Sequence, residues 1–298
     1  MDARILEYFL RVVEVGSINR AAGELRLSQP SLSRWLTVLE HEVGTPLLIR
    51  TRRGVHPTDA GQQLVDRAQP ILRQLNLLRD EIGGGAVSQV ALGMPFALRR
   101  TVTVPFVAQL SRETPNLSLR VHEGMSHTIR SLMEEGLVDI GVVASSESSP
   151  DSFEVSPLFS ERLFLVGPAD AGLDVQSAVP VARLAELALI LPDRPNVIRA
   201  QVEGAIHAAG GTYRGAIDAE TLSLCLDLTR QGLGHTVMPE SALSGQIGKD
   251  SGLCAAPIAG TDLTWSICAN RARGHSVAVR RAAAGLRDFV EAKSGTEA

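Results

Sequence analysis

The sequence predicts an α+β protein of several domains, with a helical N-terminal domain, a long connecting helix and a C-terminal α/β domain of two subdomains. The 298 residues exceed what one compact core usually holds. Short helical patterns fill the N-terminal part, and strands alternate with helices towards the C-terminus. The predicted domains are 1–58, 59–87 and 88–298, the last divided into subdomain I (about 88–160 and 266–298) and subdomain II (about 161–265).

The composition is typical of a globular protein, with 44% hydrophobic and 21% charged residues. The first apolar run carries Arg4, Glu7, Arg11 and Glu14, so it lacks the uninterrupted apolar region of a secretory signal. No uncharged apolar stretch reaches the roughly 18 to 20 residues that span a bilayer. We therefore expect a cytoplasmic protein that does not interact with a membrane.

Three cysteines, Cys225, Cys254 and Cys268, show no CxxC spacing and no accompanying pair of histidines. This argues against a metal site and against a disulfide framework. We interpret them as small buried residues in a reducing compartment, with a redox-sensing pair as the alternative. No GxSxG, HExxH, P-loop or Rossmann motif occurs in a suitable context, so the sequence predicts neither an enzyme nor a bound cofactor.

The N-terminus reads as two helices separated by a stop signal. Apolar residues recur at helical spacing between Ile5 and Val13. Gly16 then ends the first helix, and Ser17 is a suitable N-cap for a short second helix over 18–25.

A third helix is predicted after Ser28, which suits an N-cap, and Leu32, Leu36 and Leu39 form its buried stripe. Its other faces carry short hydrogen-bonding groups and one cation, a composition suited to the major groove of double-stranded DNA. The three helices predict a helix-turn-helix. Its candidate DNA-binding residues are Arg20, Gln29, Pro30, Ser31, Ser33, Arg34 and Thr37.

Individual roles follow from side-chain chemistry. Gln29 can bond a base edge bidentately, and Arg34 can hold a phosphate or a guanine. Phosphate contact or simple capping remains the alternative for Gln29 and Ser33.

Residues 47–56 predict two short strands around an Arg-Arg-Gly turn, the wing of a winged helix-turn-helix. The wing contributes Arg50, Arg52 and Arg53 as candidate DNA contacts, although an ordinary solvated turn would contain the same residues. The formal net charge is −4, but these arginines concentrate positive charge where DNA would bind.

The segment AAGELRLSQPSLSRWLTVLEHEVGTPLLIRTRRGVHPTDAG resembles the DNA-binding signature of LysR-type transcriptional regulators. The resemblance lies in the alanine pair, the SQPxLS of the recognition helix, the apolar wing strand and the RG before TxAG. It implies a ligand-responsive transcription factor, with RNA polymerase as a further candidate partner. Trp35 and the pair Ile49-Arg50 depart from the usual family pattern.

A heptad stripe of apolar residues lies in the next helix, which Thr58 can cap. Its apolar residues are Leu64, Ala68, Ile71, Leu75, Leu78 and Ile82. Such a stripe can pack against a second chain or against its own domain. Since it ends at three consecutive glycines, we favour a dimerisation helix followed by a hinge. A homodimer would present two recognition helices to a partly palindromic operator, and family members commonly assemble into tetramers.

The C-terminal part predicts strands at 90–93, 117–122, 138–143, 163–166 and 187–191, and helices at 98–112, 128–135, 197–209 and 222–231. This alternation predicts a mostly parallel sheet with helices on both faces. It also resembles the LysR effector domain, which is similar to periplasmic solute-binding proteins whose two subdomains close on a ligand. An exported solute-binding protein is therefore the second function considered, and the DNA-binding unit argues against it.

Ligands of such sheets lie where strands end and helices begin. The candidate effector-binding residues are Pro95, Phe96, Ala97, Met125, Ser126, Asn196, Val197, Glu220 and Thr221. The resemblance implies that Ser126 is a hydroxyl for an effector carboxylate, whereas helix capping is the alternative. Ala97 lacks the hydroxyl of members that sense aromatic acids. Structural roles are the alternative for Phe96 and Asn196. We expect a small anionic metabolite.

Overall fold

The computed structural model describes residues 1–51, 54–83, 89–145, 153–248, 250–271 and 276–294. The chain divides into two compact units, Met1–Ala86 and Val87–Ala298.

The first unit contains three short helices, a two-stranded hairpin and one long helix. Gly16 adopts a left-handed conformation at the end of the first helix (φ 68°), and Ser17 caps the second by accepting from the Arg20 N–H. These are the stop and start expected from the sequence. The elements are α1 (Ala3–Val15), α2 (Ile18–Glu24), α3 (Gln29–Val43), β1 (Leu48–Thr51), β2 (Gly54–Pro57) and α4 (Asp59–Gly83).

The core of this unit holds the buried stripe of α3. Leu32, Leu36 and Leu39 are at most 1% exposed and pack with apolar residues of α1 and α2. The antiparallel β1–β2 hairpin is the predicted wing. Its second strand is fixed to the end of α1, because the Val55 N–H donates to the Gly16 carbonyl at 2.9 Å.

The long helix α4 divides its apolar residues between two faces. Val65, Ala68 and Leu72 are buried in the core of the first unit. Ile71 and Leu75 are 54% and 36% exposed. Of the predicted heptad stripe, Ala68 therefore packs within its own domain, whereas these two residues stay uncovered within the described part of the chain.

The second unit opens with strand β3, followed by a 3₁₀ turn (Phe96–Leu98), a π-helical turn (Arg99–Thr103) and helix α5. The single helix predicted over 98–112 is therefore three successive helical segments. The elements of this half are β3 (Gln89–Pro95), α5 (Val104–Glu113), β4 (Ser118–Gly124), α6 (Ser126–Glu134), β5 (Ile140–Ala144) and β6 (Phe153–Pro168).

The rest of the second unit includes two elements that the sequence did not predict, α7 and β8. A 3₁₀ turn, Glu240–Leu243, follows β9. The elements are α7 (Val181–Leu184), β7 (Leu189–Pro192), α8 (Val197–Ala208), β8 (Gly215–Ala219), α9 (Leu222–Arg230), β9 (Thr236–Pro239), β10 (Leu253–Asn270) and α10 (Val277–Ser294).

The main sheet has the strand order β4-β3-β5-β10-β6-β9, and β7 and β8 form a separate parallel pair. Strand β3 is parallel to β4 and β5, but β10 is antiparallel to β5 and β6, and β6 is antiparallel to β9. The prediction of a mostly parallel sheet is therefore wrong for this six-stranded sheet. Its centre is a pair of long antiparallel strands.

The physical reason lies in the middle of these two strands. Strand β6 runs for 16 residues and β10 for 18. Polar and small residues such as Glu161, Arg162, Gly260 and Asp262 interrupt their apolar patterns, so that only the apolar ends read as strands. Both strands pass through the predicted boundaries of subdomain II, and they connect the predicted subdomains I and II of the second unit.

Candidate functional site

The outer face of α3 carries the predicted DNA-binding residues in a partly self-bonded arrangement. The Gln29 amide donates to the Ser33 hydroxyl at 2.8 Å, and the Thr37 hydroxyl donates to the Ser33 carbonyl at 3.0 Å. The exposed Arg34 has no hydrogen-bond or ion-pair partner among the described residues. Its guanidinium is thus unengaged and available to an anionic partner.

Two further predicted residues contribute to local structure. The Ser31 N–H donates to the Ser28 hydroxyl at 3.3 Å, and the two hydroxyls are 2.7 Å apart, so Ser31 belongs to the N-cap of α3. Arg20 donates to the carbonyl of Val15 at 2.8 Å, across the α1–α2 junction. Pro30 is exposed in the first turn of α3.

The wing has one described arginine, Arg50, exposed on β1 and paired in register with Val55. Gly54 is needed at the start of β2, because its φ is 134° and an added Cβ would lie 2.7 Å from the Gly16 carbonyl oxygen. The predicted contacts Arg52 and Arg53 lie outside the described residues.

The second unit, called the effector unit below after its predicted role, contains a cleft of about 460 Å³ where the ends of β3 and β4 meet the start of α8. Seven of the nine predicted effector residues line it: Pro95, Phe96, Ala97, Met125, Ser126, Asn196 and Val197. Its size and mainly apolar lining with a few polar groups are typical of small-molecule sites.

Thr221 and Glu220 lie elsewhere. Thr221 caps α9 by accepting from the Leu224 N–H and lines a second cavity of about 260 Å³. Glu220 is exposed and lines neither cavity. The parallel β7–β8 pair ends two residues before α9 begins, and this loop turns the Glu220 side chain towards solvent.

Ser126 does not cap its helix. The N-cap of α6 is Met125, which makes no side-chain capping bond. Instead the Ser126 hydroxyl accepts from the Ala144 N–H at 3.0 Å, tying the start of α6 to the end of β5. The capping role held open as the alternative for Ser126 is therefore not what its hydroxyl does in this structure, because the neighbouring strand supplies its donor.

Asn196 joins the two sides of the cleft. Its side-chain oxygen accepts from the Arg199 N–H as the N-cap of α8, and its amide donates to the Met125 sulfur at 3.6 Å. The structural role held open for Asn196 is thus present in a residue that also lines the cleft.

A buried arginine supports the α8 wall and was missed by sequence reasoning. The Arg199 guanidinium is 10% exposed and donates to Glu203 at 2.8 Å and to Asp218 at 2.6 Å. Burial lowers the pKa of Arg199, but its bonds to both carboxylates outweigh this and raise the pKa above its ordinary value. The spacing of Arg199 and Glu203, one helical turn apart, was the signal available in the sequence.

The cleft lining also contains two arginines that are bonded to neighbouring elements. Arg130 donates to the Ala144 carbonyl at 3.3 Å, and Arg194 pairs with Glu203. Other lining residues, outside the nine candidate effector residues, are Gly124, His127, Pro195, Ile198, Ala200, Leu222 and Trp265.

Trp265, a wall of the cleft, is held by a carboxylate on the neighbouring strand. Glu161 accepts from the Trp265 indole N–H, from the Ser241 N–H at 2.6 Å and from the Ser241 hydroxyl at 2.8 Å. Burial raises the pKa of Glu161, against the hydrogen bonds that lower it. Glu161 thus links the cleft wall to the 3₁₀ turn after β9.

Comparison with known proteins identifies both units. Residues 3–62 match the family model for the bacterial regulatory helix-turn-helix protein of the lysR family, and residues 83–291 match the LysR substrate binding domain. The chain belongs to the LysR family of transcription regulators. This LysR-family regulator binds DNA and contains an effector-binding domain, and it is not an enzyme.

Individual relatives cover most of its length. The nitrogen assimilation regulatory protein Nac of Klebsiella aerogenes is 33% identical over 260 residues, 86% of this chain and 84% of Nac. The dual regulator OxyR of Escherichia coli K12 is 29% identical over 253 residues, 84% of this chain and 83% of OxyR. The structure of full-length CbnR in complex with its target DNA shares the fold, with a TM-score of 0.71 and 22% identity over 97% of this chain and 99% of that one.

The cysteines of this LysR-family regulator are mostly enclosed. Cys225 and Cys268 are buried, and burial raises the pKa of Cys225 to about 11 and that of Cys268 above its ordinary value. Cys254 is partly exposed, and its thiol donates to the Pro168 carbonyl at 3.0 Å. None of them forms a disulfide. In the described ranges, no helix is long and apolar enough to cross a bilayer.

Proposed function

We propose that this regulator binds a partly palindromic operator as a homo-oligomer, and that a small anionic metabolite in the 460 Å³ cleft changes the geometry of the oligomer on DNA. The observation that carries the proposal is the cleft itself, which gathers residues from β3, β4, β5, α6 and α8. A ligand that fits one arrangement of these elements better than another shifts the population between the two.

The anionic character of the effector is inferred from the charged groups of the lining. Arg130 contributes a guanidinium group, the largely exposed Arg194 contributes a second that it shares with Glu203, and the first turns of α6 and α8 begin at the cleft. Arg199 is committed to Glu203 and Asp218, so we assign it to support of the wall. The apolar side chains of Phe96, Val197 and Trp265 would contact the body of the ligand.

DNA reading is assigned to the outer face of α3, with Gln29, Ser33 and Arg34 contacting the major groove and Thr37 on the next turn. In the free protein Gln29 is bonded to Ser33. Bidentate contact with an adenine would therefore require the Gln29 amide to exchange this bond for the base edge. Phosphate contacts would come from Arg20, Arg50, Arg52 and Arg53. The same proposal includes RNA polymerase as a protein partner.

The experiment is a footprint of the full-length protein on the promoter region next to its own gene. We expect protected, roughly dyad-symmetric DNA. Arg34→Ala should weaken operator binding. It should also reduce the slope of the logarithm of the binding constant against the logarithm of salt concentration by about one, since one cation is lost at the interface. Arg112→Ala is the control, because Arg112 is an exposed arginine on α5 of the effector unit. Binding without sequence preference at moderate salt would reject the proposal.

A further inference from the structure

We propose that Trp35 and Val38 form an apolar strip on α3 that contacts thymine methyl groups in the major groove of the operator. The inference rests on the proposed role of α3 as the DNA-reading helix. It concerns two residues that the LysR-type signature does not predict.

The strip is the part of α3 that its own domain leaves uncovered. Leu32, Leu36 and Leu39 are at most 1% exposed and fill the core. Trp35 and Val38 are each 43% exposed. Two large apolar side chains left in water next to each other on one helix are informative, because burial against a partner would release their hydration.

The strip adjoins the residues assigned to DNA. Val38 lies four residues after Arg34 and directly after Thr37, and residues at i and i+4 share a helix face. Trp35 lies three residues before Val38, so the two side chains are neighbours on the helix surface. Val38 therefore continues the Arg34 side of α3 by one turn, and Trp35 continues the Ser31 side, on the flank of the helix away from Thr37.

The groove chemistry identifies the ligand. In the major groove, the C5-methyl of thymine is the apolar group that distinguishes its base pair, and apolar side chains recognise it by contact. A protein surface is the competing occupant. The exposed Arg34, one turn before Val38, and Ser31, one turn before Trp35, favour DNA, and the acidic Glu42, one turn after Val38, is ion-paired with the N-terminal amine.

The test uses full-length protein and duplexes selected by it from a random-sequence pool. Each thymidine of a selected site is replaced in turn by deoxyuridine, which removes one methyl and leaves pairing intact. We expect at least one position per half-site where affinity falls by about threefold to fivefold, the value of one buried methyl group. In Val38→Ser or Trp35→Ser, the same replacement should have no effect at the position that the missing side chain contacted.

The control is Val43→Ser, since Val43 is 40% exposed but is the last residue of α3. This variant should keep the full sensitivity to uracil. Circular dichroism should be unchanged in all three variants, because each replaced side chain is exposed.

The outcomes separate the inference from the function on which it rests. If no sequence is selected, the DNA-reading role of α3 fails and the inference fails with it. If sites are selected but uracil is neutral at every position, the inference alone is overturned. It is also overturned if uracil sensitivity survives in both Val38→Ser and Trp35→Ser, or if these variants change only the sedimentation coefficient of the protein, which would assign the strip to a protein interface.

Discussion

The Ser126 hydroxyl at the start of α6 accepts a hydrogen bond from the N–H of Ala144, the last residue of β5, at 3.0 Å. Both residues line the cleft. A hydroxyl that accepts one bond can still donate its own hydrogen. Ser126 can therefore hold a ligand carboxylate while it remains fixed to the sheet.

Ser126→Ala should abolish the effector response and leave operator affinity in the absence of ligand unchanged. It should also destabilise the effector unit by about 1 to 3 kcal/mol, because the buried Ala144 loses the acceptor of its N–H. Ser126→Thr keeps the hydroxyl and should retain both properties. Operator binding with and without ligand, together with urea unfolding, measures the two effects. Equal loss of operator binding and effector response in Ser126→Ala would contradict this division.

Arg199 and Arg194 offer a matched comparison, since both pair with Glu203 but only Arg199 is buried. Arg199→Leu should cost about 3 to 5 kcal/mol, because it leaves the partly buried Glu203 without its enclosed partner. Arg194→Leu should cost less than about 1 kcal/mol, since the Arg194 side chain is 70% exposed. Chemical denaturation of each variant checks the difference. Similar losses in both would mean that burial of Arg199 does not set the strength of the pair.

The local parts of the fold could be predicted because short-range chemistry determines them. Gly16 ends α1 and Ser17 caps α2 as their residue types indicate. The buried stripe of α3 follows from leucine spacing alone. The long strands β6 and β10 could not be predicted, because what keeps their polar centres extended is the pairing between two segments about a hundred residues apart.

The same distinction holds for the cleft. Pro95, Ser126 and Asn196 were predictable, since each lies where a strand ends or a helix begins. Trp265 was not, because its position depends on the pairing of β10 with β6 and on the carboxylate of Glu161. Glu220 satisfied the strand-to-helix rule, but its loop directs it to solvent.

The exposed face of α4 predicts a dimerisation mutant. Ile71→Glu should raise the dissociation constant of the homodimer at least tenfold. Because the dimer is two-fold symmetric, each chain would place a charge in the apolar interface formed by the two heptad stripes. Gln69→Glu adds the same charge at an exposed position outside the predicted stripe and should have little effect. Sedimentation equilibrium over a range of concentrations provides the measurement. A monomeric wild type, or unchanged assembly in Ile71→Glu, would reject the heptad stripe of α4 as the dimer interface.

Glu161 predicts a specific pH dependence of stability. Its pKa is raised by burial, so the folded protein holds this proton more tightly than the unfolded chain, whose glutamate pKa is about 4.3. Since the folded state binds more protons, the contribution of Glu161 to stability is largest at low pH and falls as pH rises from about 4.3 through the raised pKa.

Glu161→Gln removes this titration. We therefore expect the free energy of unfolding of the wild type, relative to that of Glu161→Gln, to decrease as pH rises across this window and to level off above it. Asp262→Asn is a suitable control, because Asp262 is an exposed carboxylate in the middle of β10 and its pairing partner is Arg162 on β6. Urea unfolding at closely spaced pH values between about 4 and 7 tests the sign. Parallel curves for the wild type and Glu161→Gln would show that the three donors from Trp265 and Ser241 offset the cost of burial.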